Sequence, residues 1–261
     1  MKEHSRLDIG TIIFIIIESI LYVSFMCCDL FFHAELVSSC FKYASIVICL
    51  AMTVYLIIRD GFSIDRMFLV FALGFTVLAD IFLLFTNKYV WGVLAFLVVQ
   101  TIYLLRCVYL KEPIERMKER VTKRTHKNTI FVFLNRLVIR LIFGLVVVSV
   151  LIIANIAVDW VLVITAIYMV SFVGNIIFIV KLSLERYRFL KPMHIFLFLI
   201  GMCLFFLCDI QVGLNNVASY ISLSSDTKMV LYQIVGVGMW GCYLPGQMLI
   251  VLSGAECLES E

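Results

Sequence analysis

The sequence predicts an all-α polytopic membrane protein, a helical bundle of eight transmembrane helices with both termini cytoplasmic. The composition, the length of the apolar runs and the placement of basic residues predict this fold class. Of the 261 residues, 63% are hydrophobic and 15% are charged, and the mean hydropathy is +1.08. An average soluble domain carries about 25% charged residues. The apolar excess is therefore too large for one water-soluble core and indicates solvation by lipid.

Eight apolar segments are long enough to cross a bilayer, which requires about 20 residues per helix. Their unbroken runs, without two-residue alternation, favour helices over a barrel. Glu18 interrupts the first segment, and we expect it to be buried and paired with a polar neighbour. Pro245 and several glycines in the last segment predict a kink or close helix packing. The spans lie near 10–27, 40–58, 67–86, 89–109, 137–157, 160–181, 192–214 and 229–253, and we assign 1–261 to a single integral membrane domain.

Basic residues concentrate in alternate connections. With a cytoplasmic N-terminus, the inner connections hold 18 of the 21 Lys and Arg residues, and only Lys42, Lys88 and Lys228 lie outside. This asymmetry is what the positive-inside rule predicts for an even number of spans. The long basic connection 110–136 is interpreted as a cytoplasmic linker on anionic headgroups, dividing the chain into two four-helix halves. We expect Arg140 to snorkel to the headgroups and no nucleic acid to bind.

Two aspartates lie inside apolar spans at matching positions. Asp80 in the third span precedes Asn87 by seven residues, and Asp209 in the seventh span precedes Asn216 by seven. The seventh span comes four spans after the third, so both helices run in the same direction and place the carboxyl groups at a similar depth. An intramembrane carboxylate costs about 2.5–3.5 kcal/mol at a helix centre. The pair predicts a shared cavity, and the alternative is that each carboxyl group hydrogen-bonds a neighbouring helix or is hydrated.

Further polar side chains lie at helical spacing on neighbouring spans. Gln100 and Tyr103 in the fourth span are three residues apart, and Tyr243 and Gln247 in the eighth are four apart, so each pair shares a helix face. Tyr168 in the sixth span is a further candidate. Ordinary contacts between helices are the alternative interpretation of each residue taken singly.

These motifs resemble those of the YhhN-type lysoplasmalogenase family. The likeness covers about residues 60–255 and rests on MFLVFALGFTVLADIFLLF, WGVLAFLVVQTIYLL, FLFLIGMCLFFLCDIQVGL and CYLPGQMLIVLS. Ala79 stands where the family usually has Gly, Cys208 where it often has Ser, and Gln100 where it often has His. The segment RDGFSIDRM replaces the family's Lys-Pro before the third span. Both aspartates are retained.

The resemblance implies hydrolysis of the vinyl ether bond of a lysoplasmalogen, with a lysophospholipid substrate and membrane lipids as partners. Asp80 and Asp209 would divide the acid and base roles, as a carboxyl pair does at the oxocarbenium ion of glycosidases. We expect Gln100, Tyr103 and Tyr243 to position the ether or the water, and Asn87 to lie near the headgroup. The remaining candidates for substrate binding are Tyr168 and Gln247.

Two other functions stay open from the sequence. A small proton- or cation-coupled transporter would use the aspartates as binding groups, and interrupted helices would favour it. A catalytically silent lipid-binding homologue is the other, motivated by Gln100. The four histidines form no metal-ligand pattern, so no metal and no cofactor are expected. A bacterial cell membrane is favoured over the endoplasmic reticulum.

Overall fold

The computed structural model describes residues 8–32, 34–86, 88–122, 129–154, 158–187, 193–218 and 225–255. Within these ranges all regular secondary structure is helical, and eight helices are long and apolar enough to cross a membrane. This confirms the predicted fold class, while the orientation of the termini stays a prediction. The helices are α1 Ile9–Cys27, α2 Glu35–Asp60, α3 Ile64–Leu84, α4 Tyr89–Thr122, α5 Thr129–Ile153, α6 Trp160–Tyr187, α7 Met193–Ala218 and α8 Ser225–Leu252, and a π-helical turn over Cys28–Phe32 follows α1.

The connection between α4 and α5 is shorter than predicted. The interval 110–136 was expected to be a linker, yet α4 continues to Thr122 and α5 begins at Thr129. Residues 111–122 are rich in Lys, Glu, Arg and Met, which are good helix formers. The helix therefore outlasts the apolar segment by which the span was recognised.

The helices form two compact units. The terminal unit joins Met1–Leu56 to Met193–Glu261 and so contains α1, most of α2, α7 and α8. The central unit, Ile57–Pro192, contains the end of α2 and α3 to α6. The grouping differs from the expected division into consecutive halves, because the first two helices are grouped with the last two.

Local polar contacts define where helices begin. Asp8 caps α1, since its carboxylate accepts hydrogen bonds from Gly10 N at 3.0 Å and from the Tyr55 hydroxyl at 2.8 Å. In the central unit, Gly61 turns the chain with φ of +89°, a conformation that favours glycine. Ser63 then caps α3 by accepting from the backbone N–H of Arg66 at 3.2 Å.

A bidentate ion pair fastens α3 to α4. Arg106 on α4 donates from Nε and Nη2 to the two carboxylate oxygens of Asp65, at 2.7 and 2.8 Å. Arg106 is fully buried, whereas the Asp65 side chain is 19% exposed. The planar fork of a guanidinium matches a carboxylate in this geometry, which makes such pairs strong and directional.

Helices α7 and α8 pack closely because both carry glycine at their contact. A methyl group added at Gly201 would lie 2.7 Å from the carbonyl oxygen of Gly246. One added at Gly238 would overlap Oε1 of Gln211. This confirms close packing for two of the α8 glycines. Across Ser225–Leu252 the helix continues through Pro245, so the interruption that would favour a transporter is not seen there.

Arg140 does not snorkel, so that prediction was wrong. The side chain is 6% exposed, and its guanidinium lies against Gly174 on α6. The missing side chain at Gly174 leaves space for the guanidinium beside the α6 backbone. Arg140 therefore turns toward the protein instead of extending along the lipid-facing surface.

Candidate functional site

The two aspartates occupy comparable positions in their spans. Asp80 lies four residues before the end of the span Ile64–Leu84, and Asp209 lies five residues before the end of the span Met193–Leu214. Asp80 is 2% exposed, whereas Asp209 is half-buried. Because Asp80 belongs to the central unit and Asp209 to the terminal unit, the surroundings of each are described separately.

In the central unit, Gln100 takes part in a buried amide pair. Nδ2 of Asn175 on α6 donates to Oε1 and to the backbone carbonyl oxygen of Gln100, both at 2.8 Å. Both side chains are fully buried. The Nε2 of Gln100 meets no acceptor within the described residues, so it retains donor capacity for a bound molecule.

An aromatic cluster lies beside this amide pair. Tyr168 on α6 contacts the ring of Phe96 at a centroid distance of 6.3 Å and that of Phe172 at 5.8 Å. Phe96 lies one turn before Gln100 on α4, and Tyr168 lies two turns before Asn175 on α6. On each helix, the face that carries the aromatic ring therefore also carries the amide, one turn later on α4 and two turns later on α6.

Tyr103 extends this buried surface of α4. It lies three residues after Gln100, and both are fully buried, in agreement with the shared face expected from their spacing. The contact between α3 and α4 is also close, since a methyl at Gly92 would lie 2.6 Å from Leu83. Asp80 lies one turn before Leu84, in this tightly packed part of α3.

In the terminal unit, an aromatic cluster between α7 and α8 lies one turn before Asp209. The Tyr243 ring contacts Phe205 at 5.4 Å and Trp240 at 5.3 Å between centroids, both edge to face. Phe205 lies one turn before Asp209, so the two side chains share a face of α7. That face meets α8 through Tyr243.

A buried cation lies next to these rings. Lys42 on α2 forms an ion pair with Asp29 at 2.7 Å, and its ammonium lies 5.0 Å from the Trp240 ring and 5.4 Å from that of Phe25. Trp240 and Lys42 were not among the predicted site residues. Trp240 lies three residues before Tyr243 on the same face, which is the signal that could have identified it.

Gln247 is the most isolated polar side chain of the predicted set. It lies one turn after Tyr243 and is fully buried. Within the described part of the chain, neither its amide oxygen nor its amide nitrogen has a hydrogen-bond partner. An unpaired buried amide lowers the stability by about 1–3 kcal/mol. This cost makes Gln247 a candidate for binding a ligand.

Glu18 is a paired group, as predicted. The Ser45 hydroxyl donates to its Oε2, and the Cys49 thiol lies 3.7 Å from its Oε1. Asn87, expected near the headgroup, lies outside the described residues. Across the described ranges, no three His, Cys, Asp or Glu side chains gather as a metal-binding group.

The sequence model of the YhhN family matches residues 37–254, from early α2 to just beyond α8. The chain belongs to the YhhN family. The matched range contains Asp80, Asp209 and every other residue predicted for the site, whereas Glu18 on α1 lies outside it. No curated protein and no solved structure matches the chain. The recognition made from the sequence motifs is thereby confirmed, and this YhhN protein is a multi-pass helical membrane protein.

Proposed function

We propose that the protein hydrolyses the vinyl ether bond of a lysoplasmalogen to a fatty aldehyde and a glycerophospho-headgroup. The observation that carries the proposal is membership of the YhhN family, together with Asp80 and Asp209 inside apolar spans. A carboxyl group at this depth is expensive, so its presence supports a functional role. A multi-pass helical fold also suits a lipid substrate, because the lysophospholipid is already in the bilayer and can reach the helices from there.

The reaction requires one acid and one base. A protonated carboxyl group gives its proton to the outer alkene carbon, which converts the ether into an oxocarbenium ion. A carboxylate then takes a proton from the water that adds to this ion. The resulting hemiacetal collapses to the aldehyde and the glycerol hydroxyl. Two carboxyl groups in unlike surroundings suit these roles, because one can stay protonated while the other is ionised.

The burial of the aspartates is consistent with such a division, although either assignment satisfies the chemistry. Asp80 is almost completely buried, whereas Asp209 is half-buried and lies one turn after Phe205 on α7. That both act on one substrate molecule is part of the proposal. The amides of Gln100 and Gln247 and the hydroxyls of Tyr103, Tyr168 and Tyr243 would position the ether oxygen or the water.

The proposal is tested by incubating the purified protein with lysoplasmalogen in heavy water and trapping the product at once with borohydride. We expect the trapped fatty alcohol to carry one deuterium on the carbon that was next to the aldehyde carbonyl, because protonation of that carbon begins the reaction. The matched control substrate is the saturated alkyl-ether lysolipid, which offers no alkene to protonate. Failure of the folded protein to release aldehyde from lysoplasmalogen would refute the proposal.

The unpaired amide of Gln247 supplies a separate prediction. Gln247→Met is expected to raise the Tm by about 2–4 °C, because it removes an unsatisfied polar group worth about 1 kcal/mol. The same change should lower kcat/KM for lysoplasmalogen about 10-fold, because a donor and acceptor for the substrate are lost.

Gln211→Met is the control for that variant, since Nε2 of Gln211 already donates to the carbonyl oxygen of Leu207 at 3.1 Å. It should not raise the Tm. Thermal melting and aldehyde release measure both effects, and a lowered Tm for Gln247→Met would contradict the assignment of an unpaired amide.

A further inference from the structure

Arg140 is a buried cation that lacks a counter-ion in the described part of the central unit. It is 6% exposed, lies within the span Thr129–Ile153, and forms no ion pair or hydrogen bond with a described residue. The α5 segment contains no Asp or Glu. Glu185, the single acid of α6, lies eleven residues beyond Gly174, which is about 16 Å along the helix. An arginine taken out of water without a partner is strongly unfavourable.

A second arginine lies on the same face of α5. Arg136 precedes Arg140 by one turn, and its guanidinium carbon lies 3.8 Å from the centroid of the Phe178 ring on α6. Phe178 follows Gly174 by one turn, so the antiparallel helices pair Arg136 with the ring and Arg140 with the glycine. The stacked ring fixes the orientation of one guanidinium, and the glycine admits the other.

Asp65 of α3 does not serve as the counter-ion of Arg140. The charged groups that act on Cys107 of α4 are Arg106, Arg136, Arg140 and Asp65. The Asp65 carboxylate is bound through both oxygens by Arg106, at 2.7 and 2.8 Å. Its charge is therefore already used by another arginine.

The surroundings indicate how an anion would reach this place. The residues of α5 flanking Arg140 are apolar and exposed on the protein surface, among them Ile139, Leu141, Ile142 and Phe143. Exposed apolar side chains on a membrane span contact lipid, so a ligand with an apolar body can approach Arg140 from the bilayer. A guanidinium binds phosphate oxygens well, through its planar fork of donors.

We propose that Arg140 and Arg136 form a binding site for the phosphate of an anionic phospholipid, between α5 and α6. The ligand supplies the negative charge that the described residues do not give Arg140. Gly174 admits the guanidinium to this position, and Phe178 orients its neighbour. The site is independent of vinyl ether hydrolysis and of the two aspartates.

The test compares the Tm of delipidated protein in neutral detergent after addition of phosphatidylglycerol, phosphatidylcholine or inorganic phosphate. Phosphatidylglycerol should raise the Tm of the wild-type protein by about 4 °C or more near saturation. Phosphatidylcholine, with the same phosphodiester and no net charge, should give less than half of that rise. A rise with inorganic phosphate as large as that with phosphatidylglycerol would overturn the assignment to a lipid.

Two variants and a control locate the effect. Arg140→Gln should lose most of the rise given by phosphatidylglycerol. Gly174→Ala should do the same with all charges kept, because its methyl group would lie 2.8 Å from Nε of Arg140 and displace the guanidinium. Gly174→Ala also serves if Arg140→Gln fails to fold. Lys181→Gln removes one exposed positive charge from α6 and should respond like the wild type. An undiminished rise in both site variants, or no rise in the wild type, would refute the site.

Discussion

Asp80→Asn and Asp209→Asn are each expected to lower kcat/KM for lysoplasmalogen by about 10²-fold or more, because a positioned acid or base contributes about 10²- to 10⁴-fold. Asparagine keeps the size of the side chain but can neither give nor take the proton. Aldehyde release from purified protein measures the effect. Both variants should insert and remain folded, which the Tm checks.

The double variant shows whether the two carboxyl groups act as one catalytic unit. If they do, its rate should be close to that of the slower single variant, whereas independent contributions would multiply. Asp159→Asn is the matched control, since Asp159 is exposed and caps α6 through Leu162 N at 2.8 Å, a role that asparagine also fills. Near-wild-type hydrolysis by both single variants would end the two-aspartate mechanism.

The sequence predicted the spans well because a bilayer demands little more than apolar length. The first span, expected over 10–27, is the helix Ile9–Cys27, and the third, expected over 67–86, is Ile64–Leu84. Hydropathy did not predict that α4 continues to Thr122, beyond its apolar segment. Once the apolar residues end, helix propensity determines where the helix stops, and a hydropathy count does not include helix propensity.

The candidate site was predictable only to the extent that its residues share a helix. The spacing of Gln100 and Tyr103 placed them on one buried face of α4, as observed. Asn175 was not predicted as a site residue, because its partner Gln100 lies 75 residues away and no local sequence pattern indicates that pair. The inward turn of Arg140 was missed for the same reason, since the space for it comes from Gly174 on the next helix.

Asp65→Asn is expected to lower the free energy of unfolding by about 3 kcal/mol and the Tm by about 6–12 °C. The change removes the carboxylate that binds the fully buried Arg106 through both oxygens, and removing one partner is the costly way to break a buried pair. We take the lower end of the usual range of 3–5 kcal/mol because the Asp65 side chain is 19% exposed. Thermal melting in detergent measures the loss, and Asp159→Asn again serves as the exposed control.

The double variant Asp65→Leu/Arg106→Met separates two contributions to the Tm. One is the cost of burying Arg106 without Asp65, and the other is the net contribution of the ion pair. Replacing both partners by apolar groups is often neutral for a buried pair, so most of the lost Tm should return. If Asp65→Asn left the Tm unchanged, Arg106 would tolerate burial without its aspartate, and burial alone could not be used to infer a ligand for Arg140. A large loss supports that inference, because it shows what the loss of a carboxylate partner costs a guanidinium buried between helices.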